Sequence, residues 1–258
     1  VKRLLVLAVV VSAVVVGLRL VERAVIYPFT PLRADPSAGL TEHEVPTIDG
    51  ERLVVWSAPP AEARATVLYF HGNAGNLAGR SGRFEAFLSR GLGVVAAGYR
   101  GSSGSTGWSS ETALTADALT LRAVLPDLVG DGPLVCYGES LGSAVATQLA
   151  AEGGCDGLVL EAPFTSISDM GQALYGVPNL DLVARSHWRT IDAIRTVEVP
   201  LMVLHGTEDA LVPYAQGLAV FDAAASADKT LVPLEGGGHA NLWQAPVTGP
   251  LFRFLARF

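Results

Sequence analysis

The chain has 258 residues, half of them apolar, and a formal net charge of −7. That length and composition allow a sizeable core, in one α/β domain or two small ones. The acidic balance and the absence of any Lys/Arg-rich block argue against nucleic acid as a partner.

Lys2 and Arg3 precede an apolar run from Leu4 to Leu18 that only Ser12 and Gly17 interrupt, and Arg19 follows. With no polar face, the run does not fit a soluble surface helix. A cleaved signal peptide has such a basic start and apolar core. A spanning helix needs roughly 20 apolar residues, fewer where end arginines snorkel. No good small-x-small cleavage site follows Leu18. Residues 1–26 are therefore read as an uncleaved signal anchor, a single transmembrane helix, ahead of a signal peptide or a buried core helix. The two-residue basic head leaves the rest of the chain outside the cytoplasm. Val1 in place of Met leaves room for residues upstream. Residues 27–40 are Pro-rich and read as a linker to a domain over 41–258.

Thr41 to Val45 and Arg52 to Ala58 flank Asp49-Gly50, a hairpin signal. Thr66 to Phe70 is a short, largely apolar strand of the kind buried in parallel sheets, and it runs into His71-Gly72-Asn73-Ala74-Gly75-Asn76. Phe84, Phe87 and Leu88 lie at helical spacing. A buried strand follows at Gly93 to Ala97, then a Gly/Ser loop from Tyr99 to Trp108. Glu111 to Leu125 reads as a helix with Ser110 as its N-cap. Leu134 to Tyr137 is a strand, with a helix after it to about Ala151. Further strands are expected at Leu158–Leu160, Leu201–His205 and Thr230–Leu234, with helices at Ala215–Ala225 and from about Asn241. Strands alternating with helices imply a mostly parallel sheet with helices on both faces, joined by right-handed crossovers.

Gly138-Glu139-Ser140-Leu141-Gly142 sits between a strand and a helix, where Gly-x-Ser-x-Gly makes a sharp turn that lifts a serine hydroxyl above the sheet. The Leu141 N–H would open the helix, where donors lack partners and the dipole favours negative charge. Elsewhere the same residues make only a plain turn, so the assignment depends on partners. A serine needs a base, and the base needs an orienting acid. Of five histidines, only His239 lies in a late loop beyond the last strand, after Gly236-Gly237-Gly238. The order Ser…Asp…His then asks for an acid after a strand between the two. Asp209 meets it, with Glu208 as the competing register and Glu161 and Asp192 as remoter candidates. The second donor to an oxyanion is expected from the loop after Phe70, at the N–H of Asn73, with Ala74 as the next candidate. His71 is read as shaping that loop. No metal-ligand spacing or cofactor motif is present, so neither a metal nor a cofactor is expected. Cys136 is read as a buried free thiol, a bridge to Cys155 being the alternative.

His71–Asn76, Tyr99–Gly107, Gly138–Ser143, His205–Pro213 and Gly236–Asn241, taken in order, resemble the α/β-hydrolase superfamily, and more narrowly the membrane-anchored Bem46-like serine hydrolases. The resemblance covers Tyr27 to Phe258. It implies an α/β-hydrolase fold, a triad of Ser140, Asp209 and His239, and oxyanion donors at Asn73 and Leu141. Gly98 stands where the family often has Asp, which leaves Arg100 without one neighbour, and Ser143 replaces a frequent Gly. Residues 162–200 fall where this fold inserts a lid, here short and giving an open site. His71, Tyr99, Tyr175 and Trp188 are candidates to line it. The expected reaction is hydrolysis of an ester or thioester through an acyl-enzyme. The acyl substrate would be a small molecule or a lipid, with an acylated protein as a further candidate, and the membrane is the partner of the N-terminal helix. Amide cleavage, acyl transfer and a non-catalytic binding module are the competing readings.

Overall fold

Short apolar runs with no polar alternation can be buried on both faces, and here they build the sheet. In a computed structural model, which describes every residue except Val1, Ala38, Glu62 and Ala63, with the side chains of Leu4, Leu5 and Ala8 also outside the description, eight strands form one sheet. These are β1 (Thr41–Pro46), β2 (Arg52–Ala58), β3 (Thr66–Phe70), β4 (Gly93–Ala97), β5 (Leu134–Glu139), β6 (Gly157–Glu161), β7 (Leu201–Gly206) and β8 (Lys229–Leu234). Their order is β1-β2-β4-β3-β5-β6-β7-β8. β1 and β2 form the antiparallel hairpin around Asp49-Gly50, β2 pairs antiparallel with β4, and all later pairings are parallel. Every residue of β3, β4, β6 and β7 is buried, because helices cover both faces.

The helices are α1 (Lys2–Ile26), α2 (Ser81–Leu88), α3 (Glu111–Val129), α4 (Leu141–Ala151), α5 (Ile167–Tyr175), the single turn α6 (Thr190–Ala193), α7 (Tyr214–Ala223) and α8 (Ala245–Leu255). Leu114 and Leu121 of α3, Ala144 and Val145 of α4 and Val220 of α7 pack with the sheet in one core. Phe84 and Phe87 of α2 and Val247 and Leu251 of α8 pack in the other. Ser110 caps α3 by accepting the Ala113 N–H at 3.2 Å, as its position before the apolar pattern predicts. The last helix starts at Ala245 rather than near Asn241. The Asn241 side chain accepts the Gly238 N–H at 2.8 Å, which holds that stretch as a turn.

Two expectations change. Cys136 is not a free thiol: it is bridged to Cys155, with the two Cα atoms 5.8 Å apart. β5 and β6 are neighbours in register, and this brings the turn before β6 to disulfide reach of β5. Residues 2–26 do form one 25-residue helix. Among the described residues, however, no helix is long and apolar enough to cross a membrane. The apolar run ends at Leu18, short of the roughly 20 residues a bilayer core asks for. The turns beyond it carry Arg19, Glu22 and Arg23 and dock on the domain. Glu22 accepts the backbone N–H groups of Arg185 and Ser186 at 2.9 and 2.7 Å, and the Arg23 guanidinium lies 3.8 Å over the Trp108 ring. The Pro-rich segment after it is also packed: Tyr27 is buried and Phe29 bridges to Gly75.

Candidate active site

The turn between β5 and α4 carries the serine, and its geometry follows from two glycines. A Cβ on Gly138 would lie 2.3 Å from the Gly142 carbonyl oxygen, and one on Gly142 would lie 2.0 Å from that of Phe70. Only hydrogen fits at either position, so β5 and α4 meet at a spacing no other residue permits. Ser140 takes the strain, at φ +51° and ψ −114°. Its N–H donates to the Glu161 carbonyl at 2.8 Å, which fixes the turn to β6. The departure at Ser143 has a local reason: its buried hydroxyl donates back to the Ser140 carbonyl at 2.6 Å.

The structure brings together the three side chains expected to cooperate. His239 Nε2 lies 3.1 Å from Ser140 Oγ, and His239 Nδ1 lies 2.8 Å from Asp209 Oδ2. Asp209 lies in the loop between β7 and α7, and its other oxygen accepts the N–H groups of Leu211 and Val212 at 2.9 and 2.8 Å. Burial alone would push the Asp209 carboxyl up. The bonds from His239, Val212 and Leu211 outweigh it and hold the group below its usual range. An ionised Asp209 can only accept, so Nδ1 of His239 carries its hydrogen and the Nε2 lone pair faces Ser140. The competing Glu208 is exposed, and Glu161 is engaged elsewhere, with Arg83.

Ser140, Leu141 and Asn73 line one cleft of about 460 Å³. Leu141 is the first residue of α4, so its N–H has no acceptor within the helix. Of the four residues expected to line the site, only Tyr175 does. His71, Tyr99 and Trp188 are buried in the body of the domain. Tyr99 donates its hydroxyl to the His71 carbonyl at 2.9 Å, and Trp188 donates its indole N–H to the Tyr27 hydroxyl at 2.9 Å. Both polar tips are thus satisfied by the chain itself, which is why these aromatics face inward. Sequence reasoning missed most of the real lining: Leu18, Val21, Val25 and Ile26 of α1, and Ile167, Met170 and Leu174 of α5. The helical spacing of Ile167, Met170 and Leu174 is the one signal that could have found it.

Arg100 is not short of neighbours. It forms paired hydrogen bonds with Asp49 at 2.6 and 2.9 Å and with Asp117 at 2.8 and 2.7 Å. No aspartate would fit at Gly98, since even a Cβ there would lie 2.6 Å from the Ser103 Cβ.

His71 has a measurable signature. Burial, reinforced by the Arg80 charge, pushes its imidazole down to about 4. It is neutral in the folded protein, with Nδ1 donating to the Gly72 carbonyl at 2.7 Å. The unfolded chain takes up a proton near pH 6.5 and the folded chain only near 4, so the unfolded state binds more protons between these limits. Stability should therefore fall as pH drops through that window. Denaturant unfolding at pH 7 and pH 5 is expected to show a loss of about 2 kcal/mol that a His71→Asn variant lacks.

The serine aminopeptidase S33 family matches residues 61–191 and 180–243. Protein bem46 of Schizosaccharomyces pombe is 35% identical over 191 residues, covering 71% of this chain and 63% of that one. The lysophosphatidylserine lipase ABHD12 of Danio rerio is 33% identical over 222 residues, covering 69% and 56%. Among solved structures, the Pyrococcus furiosus esterase Pf2001 superposes with a TM-score of 0.73 at 17% identity, over 90% of this chain and 99% of that one. At that identity the likeness concerns the fold.

Proposed function

The chain belongs to the serine aminopeptidase S33 family of α/β-hydrolases and is a hydrolase, and from that premise we propose that it cleaves carboxylic ester or thioester bonds through an acyl-enzyme on Ser140. The observation that carries this reading is the 3.1 Å contact between Ser140 Oγ and a His239 nitrogen whose lone pair Asp209 orients. Ser140 Oγ attacks the acyl carbonyl while His239 Nε2 takes its proton. The N–H groups of Leu141 and Asn73 stabilise the oxyanion. As the tetrahedral intermediate collapses, the alkoxide or thiolate leaves with the proton held on His239. Water, deprotonated by the same nitrogen, then attacks the acyl-enzyme and frees the acid and Ser140.

The cleft favours an acyl ester over a peptide. Capture of a free amino terminus asks for an uncommitted carboxylate, and among the described residues the one carboxylate lining the cleft is Glu22. Its oxygens already accept from Arg19, Arg185 and Ser186. The name of the ABHD12 relative, a lipase, supports the same direction. We further propose that the exposed valines of α1, Val6 to Val16, contact a membrane, and that the domain faces an oxidising compartment where the Cys136–Cys155 bridge persists.

The test is a matched panel of p-nitrophenyl esters, acyl thioesters and p-nitroanilides. Esters and thioesters are expected to be turned over at least tenfold faster than aminoacyl anilides. The reverse order would make the protein a peptidase. Transfer to added alcohols in excess of hydrolysis would make it an acyltransferase.

A further inference from the structure

The cleft beside Ser140 has two walls of different origin. One belongs to the segment over the sheet edge: Ile167, Met170 and Leu174 of α5. The other belongs to the far N-terminus of the chain: Leu18, Val21, Val25 and Ile26. These four lie at i, i+3, i+7 and i+8, one face of a helix. The same face continues toward the N-terminus through Val14, Val11 and Leu7, all more than half exposed. Apolar surface thus runs from the open part of α1 to the cleft, with Glu22 the one charged side chain of α1 in the lining.

The two walls are fastened together. The Glu22 carboxylate accepts the N–H groups of Arg185 and Ser186 on the segment after α5. Arg19 donates to the Val183 carbonyl at 3.0 Å. Just past the helix, the Tyr27 hydroxyl donates to Ser186 Oγ at 2.9 Å and accepts from Trp188. Arg19 and Glu22 are therefore engaged in holding this face of α1 against the cleft.

Resting on the reading of Ser140 as nucleophile, we propose that the last two turns of α1 are the acyl-chain wall of the active site, and that the cleft takes one long hydrocarbon chain of a lipid ester, drawn in along α1. A cleft of this volume is of the size that encloses most of a small ligand. With a lining so apolar, binding energy comes from methylenes removed from water, and each contributes several-fold in affinity. Selectivity then depends on chain length, and the side chains at 21 and 25 set how much of the chain fits.

Two measurements test this. The first compares kcat/KM for p-nitrophenyl palmitate and butyrate in the wild type and in Val21→Trp and Val25→Trp. The palmitate-to-butyrate ratio is expected to fall at least about tenfold, as the indole takes space meant for chain methylenes; an unchanged ratio in both variants would overturn the proposal. The second needs no catalysis. Ser140→Ala protein is irradiated with methyl palmitate bearing a terminal diazirine, and the adducts are mapped by peptide mass spectrometry. Adducts within Leu18–Ile26 support the wall, and adducts confined to other segments overturn it. Ester turnover surviving in Ser140→Ala would refute the nucleophile, and the crosslink would still decide the wall.

Discussion

Replacing Ser140 with alanine is expected to lower kcat/KM for ester hydrolysis by about 10,000-fold or more, with folding intact. The Ser140 hydroxyl meets His239, and the backbone N–H to Glu161 survives the change. On the proposed mechanism the missing Oγ removes the covalent path, so what remains is water attack assisted by the oxyanion donors. His239→Ala should cost about as much, because an unactivated serine is a poor nucleophile. Combining the two should add little, since serine and histidine act as one unit. Asp209→Asn is predicted to cost on the order of 10,000-fold while leaving the geometry in place, because an amide can donate to Nδ1 and trap the wrong tautomer. Steady-state kinetics on the three variants, with circular dichroism as a folding control, checks all of this. A Ser140→Ala enzyme within tenfold of wild type would sink the assignment, as would persistent labelling of that variant by a fluorophosphonate probe.

The parts of this site that could be read from the sequence are those whose physics is local. Gly138 and Gly142 flag the elbow because a tight strand-to-helix turn tolerates nothing else at two positions four apart. Asp209 and His239 were findable because each follows an apolar strand, and parallel strands deliver their following loops to one edge. What could not be read depends on contacts between residues far apart in the chain. Arg100 meets Asp49 and Asp117, 51 and 17 residues away, so a missing neighbour at Gly98 misled. Trp188 and Tyr99 suggested a lining by type alone, yet each buries its ring and finds a hydrogen-bond partner inside. The disulfide depended on β5 and β6 being adjacent. The run over residues 4–18 marked an apolar helix correctly. That its last turns would fold back as a wall of the cleft left no trace in periodicity, since a face that lines a cleft and a face that meets lipid carry the same residues.

Beneath the elbow lies the interaction with the largest expected effect on stability. Arg83 of α2 donates to both Glu161 oxygens, at 2.7 and 2.9 Å, and to the Tyr69 hydroxyl at 2.7 Å. Glu161 is 1% exposed; it also accepts from the Tyr137 hydroxyl and from the Trp243 indole N–H. Beside it, burial pushes the Glu139 carboxyl up, but Arg83 and Arg80 outweigh this and hold it near 2. Arg83→Met keeps the volume and deletes the charge, leaving Glu161 buried without its counter-ion, which typically costs about 3–5 kcal/mol. Arg83→Met/Glu161→Gln removes both charges and should recover most of that loss, because no uncompensated charge remains. Urea unfolding of the wild type, both single variants and the double variant completes the cycle. Equal stability of Arg83→Met and wild type would show that the pair contributes nothing. The same cycle read by kcat has a second use, since the Glu161 carbonyl holds the Ser140 N–H and Glu139 directly precedes Ser140 in the chain. If the ion cluster positions the elbow, Arg83→Met should lower kcat in the folded fraction with KM little changed, and the double variant should restore kcat along with stability.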